Sequence, residues 1–293
     1  MLHQLPAELS VYIIQTAAFQ YRFSDRQTVV NIAMCNHTVY DIVAPILYHT
    51  LVVSHNNVKQ LSSLASSRET RALAQRMLSH VRFFLNRSPK QHPLETHLLA
   101  NVEHIATSSS TSLRYWAAPT LRSVHLLNLS FVPELLRITP SALRTITHVC
   151  GHLPMFESSD EWKTFFRDAA GWTRSLLERL PAVTHLGLTR DLPRAFDFHF
   201  KDSISRFDCT AIETVVRTAL QTHPRLKCIA IRISGAFLET RRMDLEMALR
   251  NVYDPRLRVW FDNRPVEDWD AHRAQSFLDI EEGRNIWTEA RLL

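Results

Sequence analysis

Apolar residues recur at helical spacing through the first fifty positions and at strand spacing beyond them. After Leu5 and Pro6, the residues Leu9, Ile13 and Ala17 share one helical face, with Glu8 in the first turn. Proline at a helix start has no donor to lose, and an acid there meets the positive end of the helix. Ser24 and Gln27 have capping-box spacing ahead of Val29, Val30, Ile32 and Ala33. Thr38 and Asp41 repeat that spacing around Val39, Ile42 and Val43, and Pro45 predicts an end to this helix near Ala44. Three short helices are predicted, with more apolar surface than they can bury among themselves.

Beyond residue 56 short apolar alternations predict strands. Leu78, Val81 and Phe83 precede Asn86; Val183, Leu186 and Leu188 precede Asp191; Leu226, Ile229 and Ile231 precede Ser234. Leu121, Val124 and Leu126 form a further strand, Leu143 and Ile146 a weaker one, and Leu257, Val259 and Phe261 a last one. Pro119, Pro181, Pro224 and Pro255 stand shortly before strands, where proline stops a preceding helix. Helices are predicted between them at 94–107, 160–179, 209–222 and 239–250. The first apolar positions of the better units, 78, 121, 143, 183 and 226, are 43, 22, 40 and 43 residues apart. Regular leucine-rich repeats run to roughly 20–29. The predicted fold class is therefore mixed helix and strand, α+β or α/β. It is a three-helix unit over residues 1–55, followed over 56–293 by an irregular leucine-rich-repeat-like solenoid with a C-terminal helical cap. A doubly wound sheet would alternate strands and helices too, but the glycine turns it uses are missing.

Glycine narrows the chemistry. The five glycines, Gly151, Gly171, Gly187, Gly235 and Gly283, are isolated, so the dinucleotide turn, the P-loop and the nucleophile elbow are all absent. Cys35, Cys150, Cys209 and Cys228 are scattered and suit reduced thiols. The start MLHQLPAELS lacks a signal-peptide pattern and no apolar run reaches the length of a membrane span. A cytoplasmic or nuclear location without membrane contact is expected, leaving the sequons at Asn36, Asn86 and Asn128 idle.

Ordinary packing accounts for several clusters that could otherwise carry chemistry. His148, Cys150 and His152 alternate and would face one way on a strand, but paired ligand spacings are missing and strand packing explains them. No metal or other cofactor is expected. Glu157, Asp160 and Glu161, and likewise Glu267, Asp268 and Asp270, suit helix starts beside Trp162 and Trp269. Residues 59–150 hold 11 Lys plus Arg against 4 Asp plus Glu. Arg82, Arg114, Arg122 and Arg144 are there candidates for reading an acidic or phosphorylated target. The charges are too scattered to predict nucleic-acid binding.

The string LPAEL at 5–9, followed by TVVNIAMCNHTVYDIVAPILYHTLVV at 28–53, resembles the F-box of large fungal protein families. That resemblance implies a substrate receptor, not an enzyme, which joins a protein target to a cullin ubiquitin ligase through a Skp-type adaptor. The matching adaptor-binding positions are Leu5, Pro6, Glu8, Leu9, Ile13, Val30, Ile32 and Val39. Asn36 and His37 stand where the family has a basic pair, and Val39 where it has tryptophan. These departures leave room for an F-box-like scaffold without a ligase role. An enzyme with a site built across loops is the reading from another class. The ending around Trp269 and Trp287 resembles the terminal segment of the same proteins and would cap the last strand.

Overall fold

The computed structural model describes residues 6–22, 24–87, 99–107, 119–130, 138, 140–153, 167–192, 201–235, 238–264, 275–276, 278–280 and 284–292. The chain divides into two compact units, with the boundary at Leu121–Arg122.

The first unit opens with α1 (Ala7–Tyr21), α2 (Arg26–Ala33) and α3 (His37–Leu47). Ala18, Val29, Ala33 and Val43 form their shared core, flanked by Ile14, Ile32, Val39, Tyr40, Ile42, Ile46 and Leu47. Two caps differ from the expectation. Asp25, not Ser24, caps α2 and accepts from Thr28 N–H at 3.1 Å. Asn36, not Thr38, caps α3 and accepts from Val39 N–H at 2.9 Å. In each case a second cap-forming residue lies within two positions, so the helix start is shifted by one or two residues from the expected cap. Pro45 does not end α3. It stands in the last turn, where it removes a single donor, and Tyr48 N–H closes the helix on Ala44 O at 2.9 Å.

Strand β1 (Thr50–Val53), which the pattern did not predict, pairs in parallel with β2 (Phe83–Asn86), and β2 with β3 (His104–Thr107). Helices α4 (Val58–Ser66) and α5 (Arg71–Leu78) lie between β1 and β2 in the chain. The helix expected over 94–107 is corrected at its end, because 104–107 is strand and residues 94–98 fall outside the described set. Ile105 and Ala106 are fully buried there, and ladder bonds to β2 outweigh local helix preference. Arg26 donates to Leu47 O and Thr50 O, and Arg76 pairs with Asp41 at 2.7 Å. These arginines tie the helical cluster to the strands and helices after it.

Among its described residues the second unit contains five parallel strands paired in chain order: β4 (Ser123–Ser130), β5 (His148–His152), β6 (His185–Leu192), β7 (Cys228–Gly235) and β8 (Leu257–Asp262). Among the described residues the order within this unit never reverses, so no topological switch point of a doubly wound sheet is seen there. The connecting helices are α6 (Pro140–Leu143), α7 (Ala169–Glu178), α8 (Lys201–Thr222) and α9 (Leu238–Arg250), and a final turn forms α10 (Ile286–Glu289). The helices predicted at 209–222 and 239–250 are present, the first of them longer than predicted.

One device recurs at the strand starts. The carbonyl just before a strand accepts two consecutive N–H groups from the residues that begin the next strand. His49 O accepts from Arg82 and Phe83, Arg82 O from Glu103 and His104, and Arg122 O from Thr147 and His148. Thr147 O accepts from Thr184 and His185, and Thr184 O from Lys227 and Cys228. Register is thereby set before the ladder proper begins.

Parallel register places residues with period two on one sheet face. In the second unit one face carries Val149, Leu186, Ile229, Ile231 and Val259, the expected apolar set. The opposite face is unusually polar: His148, Cys150 and His152 align with His185, Gly187 and Thr189, then with Cys228, Ala230 and Arg232. The C-terminal segment covers part of it, for Ile286 and Ala290 are buried against Cys150, Cys228 and Ala230. Arg291 and Val259 exchange two backbone hydrogen bonds on β8, at 2.7 and 2.9 Å.

A Cβ at Gly187 would lie 3.0 Å from Cys150 Sγ and 3.2 Å from Ile286 Cγ2. Gly187→Val is expected to cost about 1–3 kcal/mol by overpacking. A lower urea midpoint and a changed Trp287 emission would show it; an unchanged midpoint would show that α10 yields freely.

Candidate functional site

Helix α1 carries apolar residues on two opposite sides. Ile14 and Ala18 join the three-helix core, whereas Leu9, Tyr12, Ile13 and Phe19 face solvent, between 44% and 65% exposed. At 3.6 residues per turn these four fall within an arc of roughly 120°. One outward apolar side chain is unremarkable, but four along one arc form a surface that solvation alone does not explain. Arg22 lies over the Phe19 ring at 3.5 Å and closes the C-terminal end of this stripe.

The predicted adaptor residues separate by environment. Pro6, Glu8, Leu9 and Ile13 are exposed at the start of α1. Val30 is half-buried, and Ile32 and Val39 are partly buried against the core of the three helices. Leu5 lies outside the described residues. The pattern did not single out Tyr12 and Phe19, although Tyr12 stands three residues after Leu9, a helical neighbour.

The predicted arginines are also dispersed. Arg82, in the first unit, donates to Asn101 O at 3.1 Å and lies 3.7 Å from Glu103. Arg122 and Arg144, both exposed in the second unit, lead into β4 and β5, with Arg122 donating to Thr145 O at 3.5 Å. Arg114 is outside the described residues, as are the acidic sets Glu157, Asp160, Glu161 and Glu267, Asp268, Asp270 with Trp162 and Trp269.

His148, Cys150 and His152 do share one side of β5. His148 stacks on His185, with ring centroids 4.0 Å apart, and Trp287 meets both rings edge-on at 5.8 and 5.7 Å. Thr147 and Thr184 each donate their hydroxyl to the preceding strand's lead-in carbonyl, at 3.3 and 3.2 Å. Each hydroxyl also lies 2.9 Å from the adjacent histidine Nδ1, which anchors the ring on the strand. Burial, together with Lys227 and Arg258, holds the His185 pKa below its ordinary value. Burial pushes the Cys150 thiol up to about 11, so at neutral pH it is a protonated core group and a poor ligand. Among the described residues no group of three or more His, Cys, Asp or Glu could hold a metal ion, and no helix is long and apolar enough to cross a membrane.

A buried charge network joins β7, β8 and the segment after them. Arg232 donates twice to Asp262 Oδ2, at 3.1 and 2.7 Å. Arg264 bonds both oxygens of Asp262 and both of Asp279 at 2.6–2.7 Å. The Arg232 guanidinium lies over the Trp260 ring at 4.6 Å. Burial opposes ionisation of Asp262 and Asp279, but hydrogen bonds from Arg264 and the charges of Arg264 and Arg232 outweigh it, and both carboxyls sit below the ordinary range. With both carboxylates engaged by guanidinium groups, the network suits structural locking better than proton transfer.

Neither protein-family models, curated proteins nor solved structures match this chain.

Proposed function

We propose that this protein is an F-box-type substrate receptor. Residues 1–55 recruit a Skp-type adaptor and, through it, a cullin ubiquitin ligase, while the leucine-rich-repeat-like array of 56–293 holds a protein target. Bond chemistry then belongs to the partner enzymes. The observation that carries this reading is the outward apolar stripe of Leu9, Tyr12, Ile13 and Phe19 on a helix whose other side is already packed. It follows the Leu5-Pro6 start on which the F-box resemblance rests.

The test is capture of a purified Skp-type adaptor by the full chain. Leu9→Asp with Ile13→Asp is expected to abolish capture, since interface anchors contribute about 2 kcal/mol or more each. Exposed positions of this kind change folding stability by about 0.5 kcal/mol or less, so the urea midpoint should hardly move. Undiminished capture by the folded double variant would remove this surface as the adaptor site. A scaffold without a ligase role is the second reading. The half-buried placement of Ile32 and Val39 favours it by reducing the apolar area left for an adaptor. A wild-type chain that captures no adaptor would select it.

A further inference from the structure

The lead-ins to the strands of the second unit collect cations on one sheet edge. Arg122 precedes β4, Arg144 lies before β5, Arg179 before β6, Arg225 and Lys227 before β7, and Arg250 and Arg256 before β8. All are exposed except the half-buried Arg256. The segments 144–147, 179–184, 222–227 and 250–256 contain one acid, Asp254, paired with Arg256 at 2.7 Å; just outside them Glu178 adjoins Arg179 and Glu246 lies 4.0 Å from Arg250. Over the whole chain basic and acidic residues are nearly balanced, 34 against 29, so the topology concentrates charge that composition does not.

Hydrogen bonds place these lead-ins side by side. Arg122 reaches Thr145 O, Arg225 reaches Pro181 O at 3.3 Å, and Arg256 reaches Leu226 O at 3.4 Å. Thr184 and His185 bond to Thr147 O, which joins the middle pair. The result is a continuous basic rim along the start of β4–β8. The depressed His185 pKa, to which Lys227 and Arg258 contribute after burial, is consistent with a positive field there.

We infer that this rim docks an extended, Asp- and Glu-rich segment of a partner protein. The cations sit on successive strands about 4.8 Å apart instead of converging on one point, so five strand starts span roughly 19 Å, the length of about six extended residues. A lone phosphate would engage only neighbouring lead-ins. Single-stranded nucleic acid is favoured by rows of stacking aromatics, and Tyr253 is the sole Phe, Tyr or Trp in the four segments. Guanidinium groups bind carboxylates bidentately, which suits an acidic peptide. The inference deepens the receptor reading by naming the class of target.

The experiment is fluorescence anisotropy on the full chain with a labelled peptide of about eight residues, mostly Asp and Glu, at about 0.05 M and about 0.5 M salt. Each exposed ion pair contributes about two- to five-fold. Combined Arg144→Glu, Arg179→Glu and Arg225→Glu is thus expected to weaken binding about ten-fold or more, and high salt should do the same. The corresponding Arg→Lys triple should retain most of the affinity, and Arg71→Glu, exposed in the first unit, should change nothing. An unchanged urea midpoint of the Glu triple excludes misfolding as the cause. Wild-type affinity in the folded Glu triple overturns the proposal. So does equal binding of a singly phosphorylated, otherwise neutral peptide, or displacement of the acidic peptide by oligouridylate at lower concentration. Adaptor capture is measured on the same samples. If it fails while acidic binding follows the rim, the receptor reading falls and the rim stands; the converse pattern removes the rim alone.

Discussion

Asp262→Ala is expected to lower folding stability by about 3–5 kcal/mol, a large share of the roughly 5–15 kcal/mol typical of a domain. The reason lies in what remains after truncation. Arg232 is 9% exposed at its side chain and loses both bonds to Asp262, so a charge stays buried with its main partner gone. Asp262→Asn should cost less, because an amide oxygen still accepts one guanidinium. Urea denaturation of the three chains provides the comparison, and a midpoint for Asp262→Ala within error of wild type would show the network to be dispensable. The pH dependence has a definite sign. The folded-state carboxyls of Asp262 and Asp279 lie below their unfolded value, about 3.9. Their contribution is therefore fully present well above that value and is lost as pH falls through the lower folded value. Stability should drop in the acid range below about pH 4, and Asp262→Asn should flatten that drop.

Removing residues 284–293 is expected to produce self-association as well as loss of stability. Ile286 is 4% exposed and Ala290 fully buried. Losing an isoleucine contact of this kind costs about 1.5–3 kcal/mol, and the two backbone bonds between Arg291 and Val259 add about 1 kcal/mol each. The stretch of β8 at Val259 would then offer unpaired donors and acceptors to another chain. Light scattering after size exclusion reads association, and urea denaturation reads stability. A monodisperse, equally stable truncated chain would show that the segment is only an appendage.

How much of this was legible in the sequence differs from element to element. The first three helices were readable because apolar residues recur at helical spacing within each, behind the Leu5-Pro6 start of the first and close to the caps Asp25 and Asn36 of the others, although adjacent residues of similar capping power blurred the boundaries. The prolines at 119, 181, 224 and 255 marked four strand starts. Strand β3 was hidden, since four residues reading His-Ile-Ala-Thr carry no period of their own and become strand only by pairing with β2. The α1 stripe was half readable: Leu9 and Ile13 were seen, but Tyr12 and Phe19 needed the knowledge of which side packs inward. The Arg232, Asp262, Arg264 and Asp279 network was invisible, because its members are up to 47 positions apart in the chain and only the fold brings them together. The basic rim was partly anticipated in Arg122 and Arg144, whereas its extension along β6–β8 depends on strand order.

The shared carbonyl at the strand starts bears on how such a chain can change over generations. Phe83 follows Thr50 by 33 residues, His148 follows Ser123 by 25, and Cys228 follows His185 by 43, yet the same two-donor pairing opens the later strand each time. Alignment between neighbours is thus decided over two residues and is indifferent to the distance the chain travels in between. Doubling the length of a flexible excursion costs only about 0.6 kcal/mol. Insertions and deletions between strands should accumulate freely, allowing relatives to diverge in length and loop sequence while their strands stay in step.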